Sequence, residues 1–91
     1  MKWNYEIDKN TALALRNAIE SDNGLATVLM IERMYQEMMR LIPEDIISDE
    51  ELQDYIDEAD SIDTDDEEEV NYQLSNLYDL CDNLGIWIAT R

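Results

Sequence analysis

Histidine is absent from the 91 residues. That removes the commonest general base and the commonest transition-metal ligand. Cysteine occurs once, as Cys81, so no intramolecular disulfide can form, in keeping with a reducing compartment. One cysteine without histidine makes neither a zinc site nor a Cys–His nucleophile pair. Glycine occurs only at 24 and 85, which excludes a Gly-rich phosphate loop. No apolar run approaches the roughly 20 residues of a membrane span. At the N-terminus Trp3, Tyr5 and Ile7 alternate with polar residues, unlike the apolar region of a signal peptide. The expectation is a soluble, cytoplasmic protein with no cofactor, no metal and no membrane partner.

Positive charge is the scarcest commodity. The net charge is −17, and it is lopsided. Residues 1–40 carry six acids and five bases, whereas residues 41–90 carry seventeen acids and no base. Between Glu44 and Glu69 lie fifteen carboxylates in twenty-six residues. Such crowding is self-repulsive in a compact fold. It also repels phosphate and anionic membrane faces, so direct nucleic-acid binding is not expected. Basic proteins, polyamines and divalent cations are the natural partners.

The apolar content, 45%, is too high for a disordered acidic tail. The length fits one domain, residues 1–91, with a small core. Trp3, Tyr5 and Ile7 share one face of a possible short strand, the other reading being a loosely docked tail. Asp8 or Asn10 can cap a helix over Lys9 to Ser21, with Ala12, Leu15, Ala18 and Ile19 inward. Asp22-Asn23-Gly24 makes a helix–helix turn. Leu25 to Ile42 has the clearest helical period: Val28, Ile31, Met34, Tyr35, Met38, Met39 and Ile42 share one wide face, broadened by Met30 and Leu41. Arg33 and Arg40 are spaced to pair with Glu37. Pro43 ends this helix.

Ser48-x-x-Glu51 has the pattern of a capping box, opening a helix whose inner face is Leu52, Tyr55, Ile56 and Ala59. After a joint at Ser61 to Asp63, Thr64-x-x-Glu67 repeats the pattern. Val70, Leu74, Leu77, Cys81 and Leu84 then line a fourth helix, with Tyr78 and Leu80 beside them. Gly85 sits where a helix-terminating glycine is expected. Ile86 to Thr90 reads as a second short strand able to pair with the first. The predicted class is mainly α, four helices in a single domain, with a two-stranded ribbon joining the termini.

Paired carboxylates are the chemistry of glycoside hydrolysis. With so many acids some pair always has suitable spacing, so the pattern does not discriminate, and no enzyme is expected. Calcium loops need ligands at 1, 3, 5, 7, 9 and 12 with glycine at 6. From Asp57 these positions bring Ala59 and Ile62, and from Asp63 they bring Glu68 and Leu74, so neither register fits. Met30, Met34, Met38 and Met39 read either as an adaptable groove or, with Ile31 and Ile42 on the same face, as core. Trp3 and Trp87 read either as partner anchors or as closure of a small core. Cys81, on an apolar face, is expected to be inert.

The acidic stretch has two readings, a solubilising surface and a binding surface. As one straight helix at ~1.5 Å per residue it would span roughly 39 Å, or one charge per ~2.6 Å. Duplex DNA carries one per ~1.7 Å and a single strand one per ~3.4 Å. Solubility asks for a net charge of only roughly 2–8 in a small domain. Acids at Asp57, Glu58 and Asp60 also lie near the negative end of a helix dipole, where stability does not favour them.

In the Glu44–Glu69 carboxylates, with Asp79 and Asp82, the chain resembles small acidic phage and mobile-element anti-defence proteins, of the DNA-mimic anti-restriction or anti-CRISPR type. The likeness is one of size, charge and helical content, with no shared motif. It implies a stoichiometric inhibitor that fills a Lys/Arg-lined channel of a bacterial host's defence nuclease, such as a restriction enzyme or CRISPR effector. The candidate partner-binding residues are Asp54, Asp57, Glu58, Asp65, Glu68 and Glu69. The alternative is a small adaptor or regulatory module that binds through an apolar patch around Trp3, Trp87 or the methionine face, with acids for solubility. Either form is compatible with a homodimer.

Overall fold

A computed structural model describes residues 3–89. Met1, Lys2 and Thr90, expected to extend the two strands, and the charge of Arg91 lie outside the described residues. The order is β1 (Tyr5–Glu6), α1 (Lys9–Glu20), α2 (Gly24–Leu41), α3 (Asp49–Asp60), α4 (Glu67–Leu84) and β2 (Ile86–Trp87). The expected mainly helical fold with a terminal ribbon is the observed one.

Helix α2 is the axis on which α1, α3 and α4 all pack. Its wide apolar face explains this: Val28, Ile31, Met34, Tyr35 and Met38 are all buried. Met30 and Met39 are half-buried against the same core, so the methionines are packing residues. Leu41 departs from expectation and is exposed. Ile42 takes an extended backbone before Pro43, which ends the helix as the sequence predicts.

The first helix is capped by Asp8, whose carboxylate accepts from the N–H groups of Asn10 and Thr11. Thr11, Ala12, Leu15 and Ala18 are buried, while Ile19 is turned outward. Asp22 holds a positive φ of 54° in the tight turn, a conformation that Asp tolerates better than most residues. Asn23 then caps α2 through Ala26 N–H at 3.0 Å.

The ribbon is parallel, pairing Tyr5 with Ile86 and Glu6 with Trp87. The whole helical body is therefore its crossover. Gly85 makes the junction. It ends α4 in the left-handed region at φ 72°, and its carbonyl accepts from Asn4 and Tyr5 N–H at 2.7 and 3.1 Å. Ile7, Ile86 and Ile88 carry the ribbon into the core. Trp3 and Trp87 face each other at 5.4 Å, both half-buried.

Candidate functional site: the acidic face

Helix α3 turns Leu52, Ile56 and Ala59 inward. Its period then forces Glu50, Asp54 and Asp57 onto the outer crest and Glu51 and Glu58 onto one flank, all exposed. Its twelve residues carry Asp49, Glu50, Glu51, Asp54, Asp57, Glu58 and Asp60, about one carboxylate per ~2.6 Å of axis at ~1.5 Å per residue. Ser48 caps the helix through Glu51 N–H at 3.1 Å, which is one half of the predicted capping box.

The straight 39 Å array does not form. The chain leaves helical geometry between Ser61 and Asp66, and α4 begins as a separate helix with its own first turn of acids. The turn is held by specific bonds. Ser61 Oγ donates to Glu58 O at 2.7 Å, and Asp63 N–H donates to the Glu69 carboxylate at 3.1 Å. Asp65 N–H donates to Asp63 Oδ1 at 3.0 Å. Beneath the turn, Ile62 packs on a satellite cluster of Val28, Ala59 and Val70. The helix starts two residues later than the Thr64-x-x-Glu67 pattern predicts. Asp66 is the cap, accepting from Glu68 and Glu69 N–H at 3.0 and 3.4 Å. Asp is as good a cap as Thr or better, and it adds a charge at the positive end of the dipole.

Among the described residues, the ion pair within 4 Å is Arg16–Glu20, on α1. The acids of α3 and of the turn have no Lys or Arg within 4 Å among the described residues. In the turn Asp63, Asp66 and Glu69 accept from backbone N–H groups, and on α3 Asp57 accepts from the Gln53 side chain. Glu37 likewise takes neither Arg33 nor Arg40. Its carboxylate reaches α1 instead, accepting from Asp8 N–H at 2.7 Å and Thr11 Oγ1 at 3.1 Å. The orphan donors at the start of a helix are a better match for a carboxylate than an exposed arginine on its own helix.

The predicted binding residues fall into three groups. Asp54 and Asp57 form the first group, on the crest of α3, with Asp54 bordering Glu51, Tyr55 and Glu58. Asp57 accepts from Gln53 Nε2 at 3.0 Å. Glu58, Glu68 and Glu69 converge on a cleft of about 460 Å³ between the end of α3 and the start of α4. Asp65 lies on the opposite side of α4, in a cleft of about 360 Å³ with Asp22 and Asn23. The face is thus folded around the turn, and the six residues do not form one row.

Two residues of the 460 Å³ cleft escaped the sequence reading. Tyr72 stands 60% exposed on its rim, and Gln73 lies in its floor, 1% exposed. The signal for Gln73 was present: it lies three residues after Val70 and four before Leu77, both on the buried face. The Gln73 Oε1 atom has no hydrogen-bond partner. Among the described residues no group of three or more acids or cysteines could hold a metal ion.

Two further features bear on the electrostatics. Glu32 on α2 faces Asp60 on α3, and partial burial, then repulsion and hydrogen bonding by Asp60, raise the Glu32 pKa above its ordinary value. Tyr35 is fully buried, stacked at 5.2 Å on Tyr55, with no partner for its hydroxyl. Burial, with Cys81, Tyr55 and Glu58 nearby, pushes its phenol well above the usual range.

No family model matches the chain, and no curated protein or solved structure matches it either. No helix is long and apolar enough to cross a membrane among the described residues.

Proposed function

We propose that the protein is an acidic nucleic-acid mimic, which binds a basic cleft of a DNA- or RNA-binding protein and keeps nucleic acid out. The observation that carries this reading is a dense set of exposed carboxylates on a rigid frame, without Lys or Arg neighbours within 4 Å among the described residues. Even Asp57 and Glu69, which accept from Gln53 Nε2 and Asp63 N–H, retain further outward lone pairs. They are free to take charge-assisted hydrogen bonds from arginine and lysine, as phosphates do. The mechanism is competition, with long-range attraction speeding encounter. Restriction enzymes and CRISPR effectors of a bacterial cytoplasm offer such clefts. The folding of the face around the turn favours a concave or branched channel over a straight duplex groove.

The test is a pull-down from a nuclease-rich bacterial lysate at low and at high salt, followed by charge reversal of Asp54, Asp57 and Glu58 to Lys. Binding that depends on this face weakens steeply as screening shortens to about 8 Å at 0.15 M salt, and is lost in the triple variant. Affinity that survives the reversal rules the mimic out.

A second reading draws on a different observation. Leu25 and Leu29, one turn apart on the outer side of α2, are 58% and 54% exposed. They support an adaptor that binds by apolar contact, more than the methionines do. Such binding is insensitive to salt and is lost on Leu25→Ser and Leu29→Ser.

A further inference from the structure

We infer that the cleft between α3 and α4 is a socket for an arginine side chain of the protein partner. The inference rests on the mimic reading and names the chemistry that one part of the acidic face selects. The cleft arises because α3 and α4 each pack principally on α2, leaving a gap where one ends and the other begins. Its walls supply Glu58, Glu68 and Glu69, and its rim supplies the exposed ring of Tyr72. Acids alone would attract any cation. Gln73 is the separate observation: a polar side chain nearly inaccessible to solvent, at the floor of that cleft, with an acceptor oxygen that nothing satisfies. A buried acceptor left without a donor is unfavourable unless a donor arrives.

Guanidinium matches this set better than ammonium or a metal ion. It is planar, carries five N–H donors in a fixed fork, and stacks on aromatic rings. One edge can meet the carboxylates, another N–H can reach the Gln73 oxygen as the amide adjusts, and the plane can lie on Tyr72. A divalent cation needs several oxygens at close range, and no such cluster exists among the described residues. Lysine offers a point charge, with neither the fork nor the stack.

The experiment is an NMR titration of the isotope-labelled full chain with hexa-arginine and with hexa-lysine, which carry equal charge, at low and moderate salt. Hexa-arginine should bind about tenfold more tightly, on the scale of a partly desolvated cation–aromatic contact. The largest shifts should fall on the Gln73 side-chain amide and on Tyr72. Tyr72→Ala, at an exposed position, and Gln73→Leu, which removes the unsatisfied oxygen, should each bring the two peptides to within about threefold of each other. Equal binding of the two peptides by the unaltered chain, with shifts spread along α3 and none at Gln73, overturns the socket and leaves the mimic reading intact. Failure of both peptides to bind at low salt overturns both.

Discussion

Gly24, the first residue of α2, lies directly beneath the backbone carbonyl of Thr64 in the turn between α3 and α4. A β-carbon at position 24 would overlap that oxygen and approach Val70 at 3.4 Å. The glycine therefore lets the start of the central helix touch the turn that folds the acidic face.

Gly24→Ala sets two effects against each other. Alanine is favoured in a helix by up to about 1 kcal/mol. Overpacking against backbone costs typically ~1–3 kcal/mol, because a carbonyl cannot step aside as a side-chain tip can. The clash wins, so the variant should lose about 1–2 kcal/mol in urea unfolding. Amide shifts should move at Asp63 to Asp66. An unchanged unfolding midpoint would mean that the contact yields at no cost.

Glu32 and Asp60 give a pH dependence with a definite sign. The folded-state pKa of Glu32 is raised above its ordinary value, so the folded chain holds this proton more tightly than the unfolded one. Its unfavourable contribution is complete above the folded pKa. It fades as pH falls through that pKa and is gone below the ordinary value of 4.5. Glu32→Gln should therefore be more stable than the parent at pH 7, by about 0.5 kcal/mol for a partly solvated pair. The advantage should vanish near pH 4. A constant difference across that range would show that titration is not its cause.

Glu37 ties α2 to the first turn of α1 through Asp8 N–H and Thr11 Oγ1. Its loss leaves the Asp8 backbone donor without a protein partner, leaves the Thr11 hydroxyl only its longer 3.5 Å bond to Asp8 Oδ2, and removes a negative charge from the positive end of a helix. Glu37→Ala should cost about 1–2 kcal/mol, in the range of a helix cap. Faster hydrogen exchange at Asp8 should accompany it. Arg33→Ala and Arg40→Ala, whose expected pairing with Glu37 does not form, should each change stability by less than about 0.5 kcal/mol.

The Tyr35 hydroxyl is buried with no partner. Tyr35→Phe keeps the ring on Tyr55 and removes the unsatisfied group. The variant should match the parent or gain up to about 1 kcal/mol in thermal unfolding. A loss larger than about 1 kcal/mol would mean that the hydroxyl has a donor or acceptor in solution.

Much of the fold was legible because it follows from local rules. The periods of Val28 to Ile42 and Leu52 to Ala59 identified the faces of α2 and α3. Asp8, Ser48, Pro43 and Gly85 acted through their own backbone geometry, so their roles were visible one residue at a time. Competition between equally capable neighbours was not. Asp66 displaced Thr64 as a cap, and Glu37 chose the start of α1 over two nearby arginines. The exposed Ile19 and Leu41 lie at the margins of their apolar faces, where coverage depends on how closely a neighbouring helix approaches.

The sequence by itself determined that the C-terminal half is densely anionic, that histidine chemistry, an intramolecular disulfide and a Gly-rich phosphate loop are excluded, and that four amphipathic helices share one core. Composition and period are properties of the chain before it folds. Only the tertiary structure decided how the acids are grouped. The packing of α3 and α4 on α2 bent the stretch at Ser61 to Asp66 and brought Glu58 to Glu68 and Glu69. It also laid Gln73, a polar residue at an apolar position, in the floor of the resulting cleft. Where two helices stop touching depends on the side-chain volumes of a third, and no local pattern encodes it.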